Sequence, residues 1–151
     1  MKFFSFLLLI ALAISYDGNA AVNYALKYCR NYNPAYNKYP GVDCANFVSQ
    51  CLKAGGFSNS NCDGRDSKGM IINCGYLSKC LKKNGWKSAS TRPSAFKKGY
   101  PFFMKLNDYS AVYDHVFLAT KINSGSVNYA GHTNDRCGDV TISSGVTYYY
   151  K

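Results

Sequence analysis

The sequence predicts an α+β domain in which N-terminal helices pack on an antiparallel β-sheet. Three observations carry this. Apolar residues recur at helical spacing up to about Asn84; from Gly99 onward the period changes to two; and the later segments are separated by Asn-Ser-Gly and Ser-Ser-Gly turns suited to hairpins. Helices in one block and strands in the next, without βαβ alternation, is the order of an α+β chain.

The first segment, MKFFSFLLLIALAIS, sets Lys2 before an apolar run from Phe3 to Ile14 and closes on small-x-small at Ala13-Ile14-Ser15. This is the pattern of a secretory signal peptide, and the run is shorter than the roughly 18 residues that a membrane span requires. Residues 1–15 are therefore expected to be a leader, and residues 16–151 a single secreted domain with its own core. A first helix is expected from about Ala20 to Asn31, where Ala21, Tyr24, Ala25 and Tyr28 share a face. Asn31 to Gly41, with two prolines, reads as a loop. A second helix starts at Asp43-Cys44, with Asp43 as a suitable N-cap, lines up Phe47, Val48, Cys51 and Leu52, and stops at Gly55-Gly56. The polar stretch from Phe57 to Gly69 is a loop tied by Cys62, and a third helix spans about Asn73 to Asn84. Strands are expected over Tyr100 to Leu106, Val112 to Ile122, Ser126 to Ala130, Val140 to Ile142 and Val146 to Tyr150.

Composition removes several chemistries. The chain of 151 residues has 8 acidic side chains and all are Asp, so it holds neither an HExxH metalloprotease motif nor a Glu acid for glycoside cleavage. Two His cannot form a three-His zinc site, and GxGxxG, GxxxxGK[ST] and GxSxG are absent. The formal charge of +10, spread along the chain without Lys/Arg runs longer than two, points to an anionic environment such as a bacterial surface and to no specific nucleic acid. Cysteine, histidine or binding chemistry remains.

The seven cysteines (29, 44, 51, 62, 74, 80 and 137) are an odd number in a chain bound for an oxidising compartment. Six can form three bridges in fifteen ways, leaving one thiol. Cys44 is the candidate, because it sits in the first turn of an amphipathic helix where backbone amides and the dipole stabilise a thiolate. A core or disulfide role for Cys44 is the competing reading, since it shares a face with Phe47, Val48 and Cys51.

His115 opens a strongly apolar segment, Asp114-His115-Val116-Phe117-Leu118-Ala119, where a polar side chain needs a reason. An imidazole beside a thiol generates a nucleophilic ion pair. His132 lies at the far end of the next strand, where antiparallel pairing can bring it to His115 and let it fix the ring's tautomer; Asn128 competes for that orienting role.

Together, Asp43-Cys44-Ala45-Asn46-Phe47-Val48-Ser49-Gln50-Cys51-Leu52, Tyr16-Asp17, Asn33-Pro34, Asp114-His115-Val116 and Ala130-Gly131-His132-Thr133 resemble the "Putative amidase domain" family, grouped with the NlpC-like and CHAP cell-wall hydrolases. The resemblance covers essentially all of residues 16–151. It implies a rearranged papain-like fold and a thiol amidohydrolase with Cys44 as nucleophile, His115 as base and His132 as third polar residue. It leaves the substrate open; the expectation is an amide substrate such as a peptidoglycan peptide, cleaved without metal or cofactor by a monomeric enzyme with no membrane partner. The sequence departs from that pattern at Gly99-Tyr100-Pro101-Phe102-Phe103, where a Gly-Asp pair commonly stands, and in its extra cysteines. Two other readings stay open from composition: a basic ribonuclease using His115 and His132 as acid and base, and a cationic binding protein whose 14 Tyr and 9 Phe stack on glycans or bases.

Overall fold

The computed structural model describes residues 15–105 and 113–151. The expected leader, apart from Ser15, and the ends of two expected strands, Leu106 and Val112, lie outside the described residues. Three helices come first, α1 (Gly18–Tyr28), α2 (Cys44–Ala54) and α3 (Cys74–Lys83). Six strands follow: β1 (Lys87–Ala89), β2 (Pro101–Met104), β3 (His115–Ile122), β4 (Val127–Gly131), β5 (Arg136–Ile142) and β6 (Val146–Tyr150). They form one antiparallel sheet in the order β1-β6-β2-β3-β4-β5. The α+β order read from the sequence is therefore present.

Local chemistry fixes the helix ends. Asp17 accepts hydrogen bonds from the amides of Asn19 and Ala20, which starts α1 earlier than its apolar periodicity suggests. Asn73 does the same for α3 through Gly75 and Tyr76. Gly55 closes α2, its amide bonding back to the Cys51 carbonyl. Strand expectations shift, and β3, expected from Val112, begins at His115, with Tyr113 and Asp114 outside it. The strand β1 was not anticipated, because its three residues are largely exposed and carry no alternation. β2 is shorter than expected, and β5 begins at Arg136 in place of Val140, since a register shift between Tyr129 and Ala130 lets a stretch without apolar alternation continue the ladder.

The helix α2 is the central element, with every residue from Cys44 to Leu52 buried. It packs against α1 and lays its other side on β3. Phe47, Val48, Leu52, Phe102, Phe103, Val116, Leu118 and Tyr149 form the middle of the core. The chain's entry to α1 meets the start of β2 backbone to backbone: a Cβ on Gly99, which has φ +82°, would lie 2.3 Å from the Gly18 carbonyl oxygen. Only glycine tolerates both the angle and the approach. Tyr16 seals the junction by donating to the Gly99 carbonyl at 2.6 Å.

All seven cysteines are described, and the three-bridge expectation is corrected. Two disulfides form, Cys29–Cys137 and Cys62–Cys80, while Cys44, Cys51 and Cys74 are free thiols. An odd total permits three thiols as readily as one, and Cys51 is held without a partner inside the core. The Cys29–Cys137 bridge joins the end of α1 to β5 across 108 residues. In the chain-entropy account a loop of that length contributes on the order of 4–5 kcal/mol, more than the 18-residue loop of Cys62–Cys80. Such bridges are compatible with an extracellular protein. Among the described residues no helix is long and apolar enough to cross a membrane.

Candidate active site

Asp43 and Cys44 enter α2 from the turn after Gly41. Asp43 does not cap the helix, contrary to the sequence expectation: its side chain bonds none of the α2 amides. It is instead buried beneath the turn, where Oδ1 accepts from the Tyr39 amide at 2.8 Å and from Asn46 Nδ2 at 2.9 Å, and Oδ2 meets His132 Nδ1 at 2.5 Å. The first-turn amides of α2 are thus left unclaimed by Asp43, beside the Cys44 sulfur.

The other polar residues of this segment are braces too. Asn46 donates to the Asn37 carbonyl at 2.8 Å, Ser49 accepts from the Ile71 amide at 3.0 Å, and Gln50 accepts from the Tyr24 hydroxyl at 2.7 Å. The block that looks most specific in the sequence is therefore largely a scaffold. It ties α1 and two loops to the helix that presents Cys44, because each buried polar group needs a partner.

His132 stands apart from His115. Its ring is 2% exposed, stacks on Phe47 at 3.9 Å and packs against Tyr32 at 4.2 Å. Its Nε2 faces the Tyr28 carbonyl at 2.9 Å, and since a carbonyl only accepts, that nitrogen carries a hydrogen. With Nδ1 on Asp43, both ring nitrogens are engaged, so the expected contact with His115 is not made. Asn128 is likewise committed elsewhere, donating to the Gly138 carbonyl at 2.9 Å and accepting from Asn123 at 2.7 Å. The strand pairing did not bring either residue to His115: Asn128 pairs with Lys121 toward the other end of β3, and His132 lies just past the end of β4, held on Asp43 and Phe47 of the α2 segment.

What does meet Cys44 is His115, the first residue of β3, together with Cys74, the first residue of α3. The three line one cavity of about 180 Å3 with Asn73, Asp114 and Thr133, and exposed Val42 and Ile72 stand at its rim. The Cys44 and Cys74 sulfurs are 3.6 Å apart. The His115 ring is backed by Phe117, stacked at 5.1 Å and 14° on the same strand face.

The electrostatics of the cavity favour one charge arrangement. Donation from the Cys74 thiol holds the Cys44 thiol well below its ordinary range; burial opposes this, and the hydrogen bond and charge of His115 and the Val116 backbone amide reinforce it. His115 is raised above the usual imidazole value, first by its hydrogen bond to Cys44, against burial, and further by the charges of Cys44 and Asp114. Cys74 is pushed up by its bond to Cys44 and by burial, so one thiol of the pair ionises and the other stays protonated. Cys51, in the core, is raised by desolvation. The arrangement is a thiolate beside an imidazolium, a combination that can attack a carbonyl and protonate a departing amine.

Two residues of the cavity were not singled out in the sequence. Cys74 was one of six interchangeable partners for a bridge. Thr133 enters the sequence reading only as the end of the Ala130-Gly131-His132-Thr133 segment, yet it adopts φ 86°, a rare conformation for a β-branched residue, and its buried Oγ1 has no hydrogen-bond partner among the described residues. The buried Nδ1 of His115 is also unpartnered among them.

The sequence matches the family described as "Putative amidase domain" over residues 15–149. It is also similar to two proteins of Bacillus subtilis (strain 168), the uncharacterized protein YhbB, 50% identical over 44 residues, and the uncharacterized protein YjcM, 52% identical over 40 residues. Those stretches cover 29% and 26% of this chain and 14% and 10% of the two relatives, so the likeness concerns a small part of longer proteins.

Proposed function

From the premise that the chain belongs to the "Putative amidase domain" family, we propose that it is a secreted cysteine hydrolase that cleaves amide bonds in bacterial peptidoglycan peptides. The observation that carries this reading is the Cys44–His115 pair lining one cavity, with the thiol pKa lowered and the imidazole pKa raised. The thiolate of Cys44 attacks the amide carbonyl, and the developing oxyanion is met by the backbone amides at the start of α2. His115 gives its proton to the nitrogen as the C–N bond breaks. Water, deprotonated by His115, then attacks the thioester, releases the acid and restores the ion pair. The nucleophile on an early buried helix and the base on the first residue of a sheet strand suit a rearranged papain-like fold of the NlpC and CHAP kind. Thr133 lines the same cavity as His115, and its buried Oγ1 and the His115 Nδ1 are both without a hydrogen-bond partner among the described residues, which makes Thr133 a candidate for the orienting role.

The charge gives the enzyme its setting. Removal of residues 1–15 leaves 17 Lys and Arg against 8 Asp, a balance that draws a monomeric protein to anionic walls without shaping the reaction. The ribonuclease reading loses support because it needs two histidines in one cleft, and His132 is locked behind α2.

Digestion of purified sacculi tests the reading. New amino groups without new reducing ends are expected, with release from insoluble walls falling steeply as salt shortens the Debye length from about 30 Å at 0.01 M to about 8 Å at 0.15 M. Cleavage of a small neutral peptide should hardly respond to salt. Reducing ends without amines, or RNA cleavage with inert walls, would overturn the assignment.

A further inference from the structure

Cys74 has no assigned part in the hydrolysis, yet its placement is specific. It opens α3 as Cys44 opens α2, so two helix N-termini converge on one cavity and each presents a thiol there. Their sulfurs are 3.6 Å apart, in contact with each other, against about 2 Å in a disulfide. The remaining cysteines are accounted for: four are bridged, and Cys51 is fully buried in the core. A nucleophilic thiolate in a compartment that maintains two disulfides is exposed to disulfide-bearing small molecules and to oxidants. A second thiol within reach changes the outcome of that exposure.

We propose that Cys44 and Cys74 are a dithiol redox pair, in which a small disulfide entering the cavity is reduced and the enzyme is switched off as a reversible Cys44–Cys74 disulfide. This rests on the reading of Cys44 as the cavity's reactive thiol. The Cys44 thiolate attacks one sulfur of the small disulfide, forming a mixed disulfide and expelling the first small thiolate. Cys74 then gives up its proton and attacks the Cys44 sulfur, breaking the mixed disulfide and expelling the second small thiolate. The protons of Cys74 and of the His115 imidazolium go to the two departing thiolates. Two electrons leave the cysteine pair and two enter the small disulfide, so the exchange balances. A thiol reductant reverses it. The closed bond removes the nucleophile from its carbonyl and blocks the cavity, and it keeps Cys44 from the irreversible steps of sulfur oxidation.

The test treats reduced, purified protein with oxidised glutathione, quenches in acid, alkylates the remaining thiols and maps the peptides by mass spectrometry while amide hydrolysis is followed in parallel. Expected are a Cys44–Cys74 linked peptide, Cys51 alkylated only after denaturation, activity lost on the time course of linkage, and both effects reversed by dithiothreitol. In Cys74→Ser, glutathione should instead accumulate on Cys44 as a stable mixed disulfide. Wild-type protein that retains glutathione on Cys44 with Cys74 free, or that resists oxidation while fully active, would overturn the proposal and leave the hydrolase reading standing. Linkage in a protein whose reduced form cleaves no amide would do the reverse. If Cys74→Ser fails to fold, the wild-type peptide map decides alone.

Discussion

Cys44→Ala is expected to lower amide hydrolysis by about 10^4-fold or more, and His115→Ala to do the same, with the double variant no worse than either. The two side chains act as one unit: without the sulfur there is nothing to form the thioester, and without the imidazole the thiolate loses its counter-ion and the amine its proton donor. Removing the second member of a broken unit therefore costs nothing further. The fold should survive Cys44→Ala, because Ala suits the first turn of α2 and the sulfur borders a cavity. Single-turnover rates on a peptidoglycan peptide, with thermal unfolding measured on each variant, check this. Additive losses in the double variant would mean that Cys44 and His115 contribute independently.

His132→Ala is expected to cost about 3 kcal/mol of stability, read as a fall in Tm of roughly 10 °C. The substitution strands the Asp43 carboxylate, which is 1% exposed, with only the Tyr39 amide and Asn46 as donors. It also empties the space between Phe47 and Tyr32 and frees the Tyr28 carbonyl. His132→Phe should recover part of the packing and none of the hydrogen bonding, which separates the two contributions. At a temperature where both proteins are folded, activity should fall far less than in His115→Ala, since the brace acts on the residue before Cys44 and not on the reacting atoms. Denaturant unfolding of the three proteins measures the loss. Unchanged stability with abolished activity would return His132 to the catalytic role that the sequence suggested.

The helices were legible because their signals are local. Gly55 stops α2 and Asn73 starts α3, as turn and cap chemistry requires, and α2 packs on β3. The candidate cysteine and His115 were legible for a related reason: a thiol in a first turn and a polar residue opening an apolar strand are each anomalous in their own segment. What sequence could not give is pairing across the chain. Nothing local says that β6 lies between β1 and β2, that Cys29 joins Cys137, or that His132 turns behind α2 to Asp43 when His115 lies one strand away. Asp43 shows the limit well. Its type and position suit an N-cap, and a buried imidazole outcompetes the helix amides for its carboxylate. Cys74 was invisible as a site for the same reason, since only the fold sets its sulfur against Cys44.

The central claim is that Cys44 is a preformed thiolate paired with His115, and the pH dependence of its alkylation by iodoacetamide tests it most directly. A lowered thiol pKa keeps the reactive form present from mildly acidic pH upward and loses it only as pH falls through that lowered value. Cys44 should therefore be the first cysteine labelled in reduced native protein, at a rate already near its plateau at neutral pH. In His115→Ala the rise should move to higher pH, because a hydrogen bond and a positive charge are gone. A Cys44 that resists labelling, or whose rate climbs about tenfold per pH unit into the range of an ordinary thiol and is unmoved by His115→Ala, would contradict the account.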